Sequence, residues 1–169
     1  MRELFLMRHA KSSWDDPTLS DFDRPLNARG KEDAPLMGKY LKKLGIKPDL
    51  IISSPAKRAK KTAKIVAEEL GYDTDAIDYK DGIYEASPQS LLYLVCQLPD
   101  DAKRVMIVGH NPGITELANV LGDITIDNIP TAGVAGIAFD TQRWGQACRM
   151  KGHTVLFEYP KKLKNGELH

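Results

Sequence analysis

Three short runs, Leu4-Phe5-Leu6-Met7, Leu50-Ile51-Ile52 and Val105-Met106-Ile107-Val108, are apolar at every position. A strand with one wet face alternates apolar and polar residues, so runs without alternation read as strands covered on both faces. Such strands need helices above and below, and helical stripes lie between them. Ala34, Met37, Leu41 and Leu44 recur at helical spacing and stop at Gly45; Pro35 fits if the regular helix begins near Asp33 or bends there. Ala59, Ala63, Val66, Ala67 and Leu70 form a second stripe, ended by Gly71. Leu91, Leu94, Val95 and Leu98 form a third, and Ile114, Leu117, Ala118 and Leu121 a fourth, ended by Gly122. Ser54-Pro55, Ser87-Pro88 and Asn111-Pro112 each place a capping side chain before a proline, the pattern of a helix start. Val134 to Phe139 and Thr154 to Tyr159 are β-rich and too close together for a helical crossover, so one of them is expected to run antiparallel. The alternation predicts an α/β fold: a three-layer α/β/α sandwich around a mostly parallel sheet with one antiparallel edge strand.

A chain of 169 residues is the size of one such domain, expected over residues 1–159. Residues 160–169, lysine-rich after Pro160, read as a solvated, frayed end. Twenty-four basic residues against 23 acidic ones leave a net charge of +1. That balance gives no general polyanion signal and argues against a nucleic-acid partner, so any anion site must be a local arrangement. No run approaches the ~20 apolar residues of a membrane span, and no signal-peptide core opens the chain. The two cysteines, Cys96 and Cys148, are too few for a disulfide scaffold and lack metal spacing; they read as small buried hydrophobes in a reducing compartment, with the cytoplasm as the expected location. Oligomeric state leaves no mark on the sequence.

In open α/β sheets, ligands sit beyond the carboxyl ends of the strands. Arg8-His9 follows the first apolar run, and Ser53-Ser54-Pro55 the second, with Arg58 in the first turn of the next helix. Gly109-His110-Asn111-Pro112-Gly113 follows the third. Two arginines and two histidines from three segments thus converge at one edge, near helix N-termini whose free N–H groups favour anions. Arginine binds phosphoryl oxygens through paired donors without losing its proton. Histidine near neutral pH can be a nitrogen nucleophile or a cation, so one histidine attacking and one donating would serve phosphoryl transfer with no metal and no cofactor. A P-loop lysine motif and an aspartate-rich magnesium site are both missing from the sequence, which weakens a nucleotide-hydrolase reading. Lys57, Lys60, Lys61 and Lys64 read either as a solvated helix face or as a dock for an acidic partner.

These segments resemble a known family. Leu6-Met7-Arg8-His9-Ala10-Lys11-Ser12-Ser13-Trp14 is similar to the signature of the histidine phosphatase superfamily, with Ala10 at a position that is usually glycine. Ser53 to Ala63 resembles the second block of that family and Val108-Gly109-His110-Asn111-Pro112 the third. The stretch Asp21-Phe22-Asp23-Arg24-Pro25-Leu26-Asn27-Ala28-Arg29-Gly30 resembles the SixA-like branch of phosphohistidine phosphatases. The resemblance implies a phosphoglycerate mutase-like fold and a hydrolase that works through a covalent phosphohistidine. It implies His9 as nucleophile, Arg8 and Arg58 as holders of the phosphoryl oxygens, and His110 as the second pocket histidine. Ser12 and Asp15 fall where relatives line the pocket, although Asp15 replaces a frequent asparagine and also reads as a water-facing residue. Arg24 is either an anion contact or a residue that orders its loop. Glu85 is either the acid that protonates the leaving group or a surface carboxylate ahead of the Ser87 cap.

The leaving group decides how much such an acid matters. An alkoxide, with an acidity near the ~15.7 of water, needs a proton as it departs. An imidazole, whose conjugate acid has a pKa of about 6.5, leaves far more easily. The short Ser12–Asn27 and Gly122–Gly133 loops leave little chain for a lid and predict a shallow, open pocket. The expected substrate is therefore a protein carrying phosphohistidine. The alternatives are a small phosphorylated substrate, as for a broad phosphomonoesterase acting on sugar or aryl phosphates, and a non-catalytic phosphate-binding scaffold.

Overall fold

The computed structural model of the chain describes residues 1–166 and is organised by one six-stranded sheet. Its strands are β1 (Arg2–Arg8), β2 (Leu50–Ser53), β3 (Asp78–Tyr79), β4 (Arg104–Gly109), β5 (Val134–Phe139) and β6 (His153–Glu158), in the order β3-β2-β4-β1-β5-β6. The first four in that order run parallel. β5 runs against β1, and β6 against β5, so antiparallel pairing is confined to one side of the sheet. The helices are α1 (Ala28–Lys43), α2 (Lys57–Leu70), α3 (Pro88–Cys96), α4 (Gly113–Leu121), α5 (Trp144–Ala147) and α6 (Pro160–Lys164).

The pleat explains why the apolar runs do not alternate. Leu4 and Leu6 of β1, with Val105 and Ile107 of β4, face a core shared with α3, α4 and α5. Phe5 and Met7, with Met106 and Val108, face a second core shared with α1 and α2. Each buried Leu, Ile or Phe contributes roughly 1.5–3 kcal/mol by leaving water, so a polar residue on either face would forfeit a term of that size. The three layers expected from the sequence are these two helical layers and the sheet between them.

Several local expectations are corrected. α1 begins at Ala28, well before Asp33, because the Asn27 side chain caps it by accepting from the Gly30 N–H at 2.8 Å. Pro35 lies inside the helix; the carbonyl that its ring denies a donor belongs to exposed Lys31, which water can reach. Of the three expected capped starts, only Ser87 caps its helix in that way, accepting from the Ser90 N–H. α2 begins at Lys57 without a side-chain cap, and α4 begins at Gly113 after a cis Asn111–Pro112 bond.

Cys96 and Cys148 are not free thiols. They form a disulfide that joins the end of α3 to the end of α5, two helices that pack against each other across 52 residues of sequence. That pairing removes the thiol argument for a reducing compartment. The tail is likewise not frayed where it is described. Pro160 is buried, and Lys164 of α6 reaches the buried Asp33 carboxylate at 2.6 Å. Residues 167–169 of the expected tail lie outside the described residues. Among the described residues no helix is long and apolar enough to cross a membrane.

Candidate active site

The parallel register makes three strands end together. Arg8 lies opposite Gly109, and Ser53 opposite Val108. Backbone bonds extend the alignment by one residue: the His9 N–H donates to the Gly109 carbonyl at 3.0 Å and the Ser54 N–H to the Val108 carbonyl at 3.0 Å. Beyond this line lies a cleft of about 250 Å³, lined by Arg8, His9, Ser12, Arg24, Arg58 and His110, with Trp14 at its rim. Six residues separated by up to about a hundred positions are thus gathered because β1, β2 and β4 stop at one level.

His9 is buried, and its Nδ1 lies 2.7 Å from the Ala10 carbonyl oxygen. A carbonyl only accepts, so Nδ1 carries the proton and the lone pair of a neutral ring is on Nε2. Arg58 Nε donates to that nitrogen at 3.4 Å. Burial pushes His9 down to about 3, helped by the positive charges of the neighbouring arginines, while the Ala10 carbonyl works against the shift. The ring is therefore neutral at physiological pH. Thr62 keeps the Ala10 peptide in place: its hydroxyl accepts from the Ala10 N–H at 3.0 Å and donates to the Arg58 carbonyl at 2.8 Å.

His110 sits 5.1 Å from His9, ring centre to ring centre. Its Nε2 is 2.7 Å from the Ser54 hydroxyl, and Arg58 Nη2 is 3.4 Å from its Nδ1. An arginine can only donate, so Nδ1 accepts and Nε2–H donates to Ser54. Burial and then Arg58 lower His110 to about 4, with Asp21 pulling the other way. Arg8 donates to the Ile129 carbonyl at 3.1 Å, which ties it to the loop after α4; burial and the Arg58 charge lower its pKa.

The second layer of the cleft is a carboxylate that the sequence reading quotes within a motif but gives no role. Asp21 accepts from Arg58 at 2.9 Å, from Arg24 at 2.9 Å and from the Tyr84 hydroxyl at 2.7 Å. The Tyr84 bond and the two arginines hold it well below the usual carboxylate range. The same bond pushes the Tyr84 hydroxyl up to about 12. Arg24 combines both roles considered for it: it lines the cleft, and it orders the loop by donating to Ser12 at 2.5 Å and by stacking 3.6 Å from the centre of the Trp14 ring.

Glu85 is not brought into the cleft. It is exposed, takes a positive φ of 56°, and is absent from the cleft lining. Its neighbour Tyr84 occupies the approach instead, edge-on to His110 with ring centres 5.5 Å apart. Asp15 is exposed and also outside the lining. Asp21, Tyr84, Ser54 and Thr62 are the site residues that sequence reasoning missed. Two of them carried a signal: Ser54 directly follows the second apolar run, and Thr62 lies one helical turn after Arg58 on the same face. Among the described residues no three His, Cys, Asp or Glu side chains gather as a metal site would require.

With this geometry in view, comparison with known proteins gives one consistent result. The family model for the histidine phosphatase superfamily (branch 1) matches residues 4–88. An uncharacterized chloroplastic protein of Arabidopsis thaliana is 31% identical over 159 residues, covering 89% of this chain and 72% of the relative. Among solved structures, the Agrobacterium tumefaciens protein assigned as the phosphohistidine phosphatase SixA superposes with a TM-score of 0.76 at 28% identity, over 94% of this chain and 98% of that one. A protein histidine phosphatase SixA complexed with tungstate superposes with a TM-score of 0.81 at 22% identity, over 95% and 99%, and is similar in fold.

Proposed function

The chain belongs to the histidine phosphatase superfamily, and from that premise we propose that it hydrolyses phosphohistidine on protein substrates through a covalent intermediate on His9. The observation that carries this reading is the unprotonated Nε2 of a buried, neutral His9, held by a long bond from Arg58 Nε among Arg8, Arg58 and His110. In the first step Nε2 attacks phosphorus in line. The N–P bond to the substrate imidazole, protonated on its other ring nitrogen, breaks as the new N–P bond to His9 forms, so the ring leaves as neutral imidazole. Arg8 and Arg58 bind the equatorial oxygens, and neutral His110 donates to the growing charge the Nε2–H that it otherwise gives to Ser54. In the second step water attacks phospho-His9, releasing phosphate and returning the lone pair to Nε2. Positioning and fixed charge supply most of the rate.

The carboxylates favour phosphohistidine over an alkyl ester. Asp21 is kept ionised by the Tyr84 bond and its two arginines and holds no proton to give, and Glu85 lies outside the cleft. An alkoxide would leave without help, whereas an imidazole needs little. The short Ser12–Asn27 and Gly122–Gly133 loops support a substrate group carried on a protein surface. The test compares turnover of a phosphohistidine protein with that of an alkyl phosphate ester, in wild type and Glu85→Gln. The expected result is a strong preference for phosphohistidine that Glu85→Gln leaves unchanged. Equal loss on both substrates would instead make Glu85 the working acid and remove the leaving-group argument.

A further inference from the structure

The loop from Ser12 to Leu26 is a wall shared by two depressions. Trp14 and Arg24 line the catalytic cleft, while Pro25 and Leu26 line a second groove of about 410 Å³. The Ser12–Leu26 bridge and the Ser13 N–H, which donates to the Pro25 carbonyl at 2.8 Å, hold the wall together. Every other residue of the second groove is a lysine: Lys31 of α1, and Lys57, Lys60, Lys61 and Lys64 of α2. No carboxylate lines it, and none of the five takes part in an ion pair among the described residues.

In a chain whose net charge is only +1, five uncompensated cations in one groove are a local excess. Lysines three and four residues apart on α2 repel one another; among the described residues no ion pair relieves that repulsion, and only Lys60, 5.1 Å from the centre of the Tyr79 ring, has a cation–π partner. A carboxylate-rich ligand would relieve it. The apolar Pro25 and Leu26 between the cations suit a peptide better than a free ion. The same loop exposes Trp14, which lines the cleft, and Leu19 and Phe22, so it presents apolar contacts bordered by charge, as a protein-binding surface does. No aromatic ring lines the groove for a base to stack on; the nearby ring of half-buried Tyr79 is covered by Lys60.

We propose that this lysine groove binds an acidic segment of the substrate protein and so presents the adjacent phosphohistidine to His9. The proposal rests on the protein-substrate reading for its place in catalysis, and the groove can be tested apart from it. The variant is Lys60→Glu/Lys61→Glu/Lys64→Glu, which leaves Lys57, beside Arg58, untouched. On a phosphohistidine protein with an acidic surface, kcat/KM should fall by about tenfold or more through KM, and its salt dependence should flatten. Turnover of a small aryl phosphate should not change. A poly-glutamate peptide should bind wild type by calorimetric titration and lose that binding in the variant.

An unchanged KM for the acidic protein in the variant, or wild type that does not bind poly-glutamate, would overturn the proposal. So would an oligonucleotide that binds the groove more tightly than poly-glutamate. If wild type binds poly-glutamate through these lysines yet turns over no phosphohistidine protein, the groove stands as an acidic-peptide site and the substrate reading fails.

Discussion

At the scale of single residues the account depends on where two protons sit. Nδ1–H of His9 is spent on the Ala10 carbonyl, and the Nε2 proton of His110 on Ser54, so each ring turns a lone pair toward Arg58. Isotope-edited NMR of the histidine rings should find both neutral at pH 5.5, with His9 in the Nδ1–H form and midpoints near 3 and 4. A midpoint above 6 for His9 would contradict its burial. The same burial links to stability with a definite sign. The unfolded chain takes up protons on these rings near 6.5, while the folded chain resists until about 3 and 4, so their contribution is complete above pH 6.5 and is lost as the pH falls below it. Chemical denaturation between pH 7.5 and 5 should show stability falling with pH. Arg8, His9, Arg58 and His110 could be read from sequence because each follows a buried strand or opens the helix after one. Asp21 could not, because it opens a single 3-10 turn, Asp21–Asp23, with no apolar periodicity to mark it, and only folding sets it against Arg58 and Tyr84.

At the scale of elements, the site depends on how closely α1 approaches the segment after β1. Gly30 of α1 packs where a Cβ would overlap the Lys11 carbonyl oxygen, and that carbonyl also accepts from the Asn27 N–H at 3.0 Å. Gly30→Ala must push α1 away from the residues next to His9. The expected cost is about 1–3 kcal/mol, as for other overpacked sites, together with a drop in kcat. Urea denaturation and steady-state kinetics check both, and full activity at wild-type stability would show that the contact is soft. β1, β2 and β4 were legible because burial on both faces leaves an uninterrupted apolar run, whereas the two-residue β3, Asp78–Tyr79, has no such run and was missed. The start of α1 was not, because Pro35 reads locally as a break while the Asn27 cap and packing on α2 override it. The starts of α2 and α4 were misread for a related reason: Ser54 and Asn111 use their side chains within the site and its loops, Ser54 on His110 and Asn111 on Asn128, Ile129 and Thr115.

At the scale of the whole molecule, charge and covalent linkage are distributed unevenly. The disulfide pins α3 to α5 on one face of the sheet, away from the cleft lining, and closes a loop spanning 52 residues of sequence. Reduction should therefore lower unfolding stability by about 2–4 kcal/mol while leaving turnover by the folded protein unchanged. Thermal denaturation with and without reductant, beside an activity assay, separates the two effects. The near-zero net charge reveals neither the disulfide nor the cationic cleft, since a total says nothing of placement. The cationic edge was readable from the residues that follow each apolar run and not from the total. The central claim is the bond between phosphorus and His9, and rapid-quench labelling with a phosphohistidine protein substrate tests it most directly. The account predicts an acid-labile, alkali-stable phosphoryl group that forms and decays within turnover, maps to His9 and is absent in His9→Ala. Turnover that persists in His9→Ala, or a label on any other residue, would contradict it.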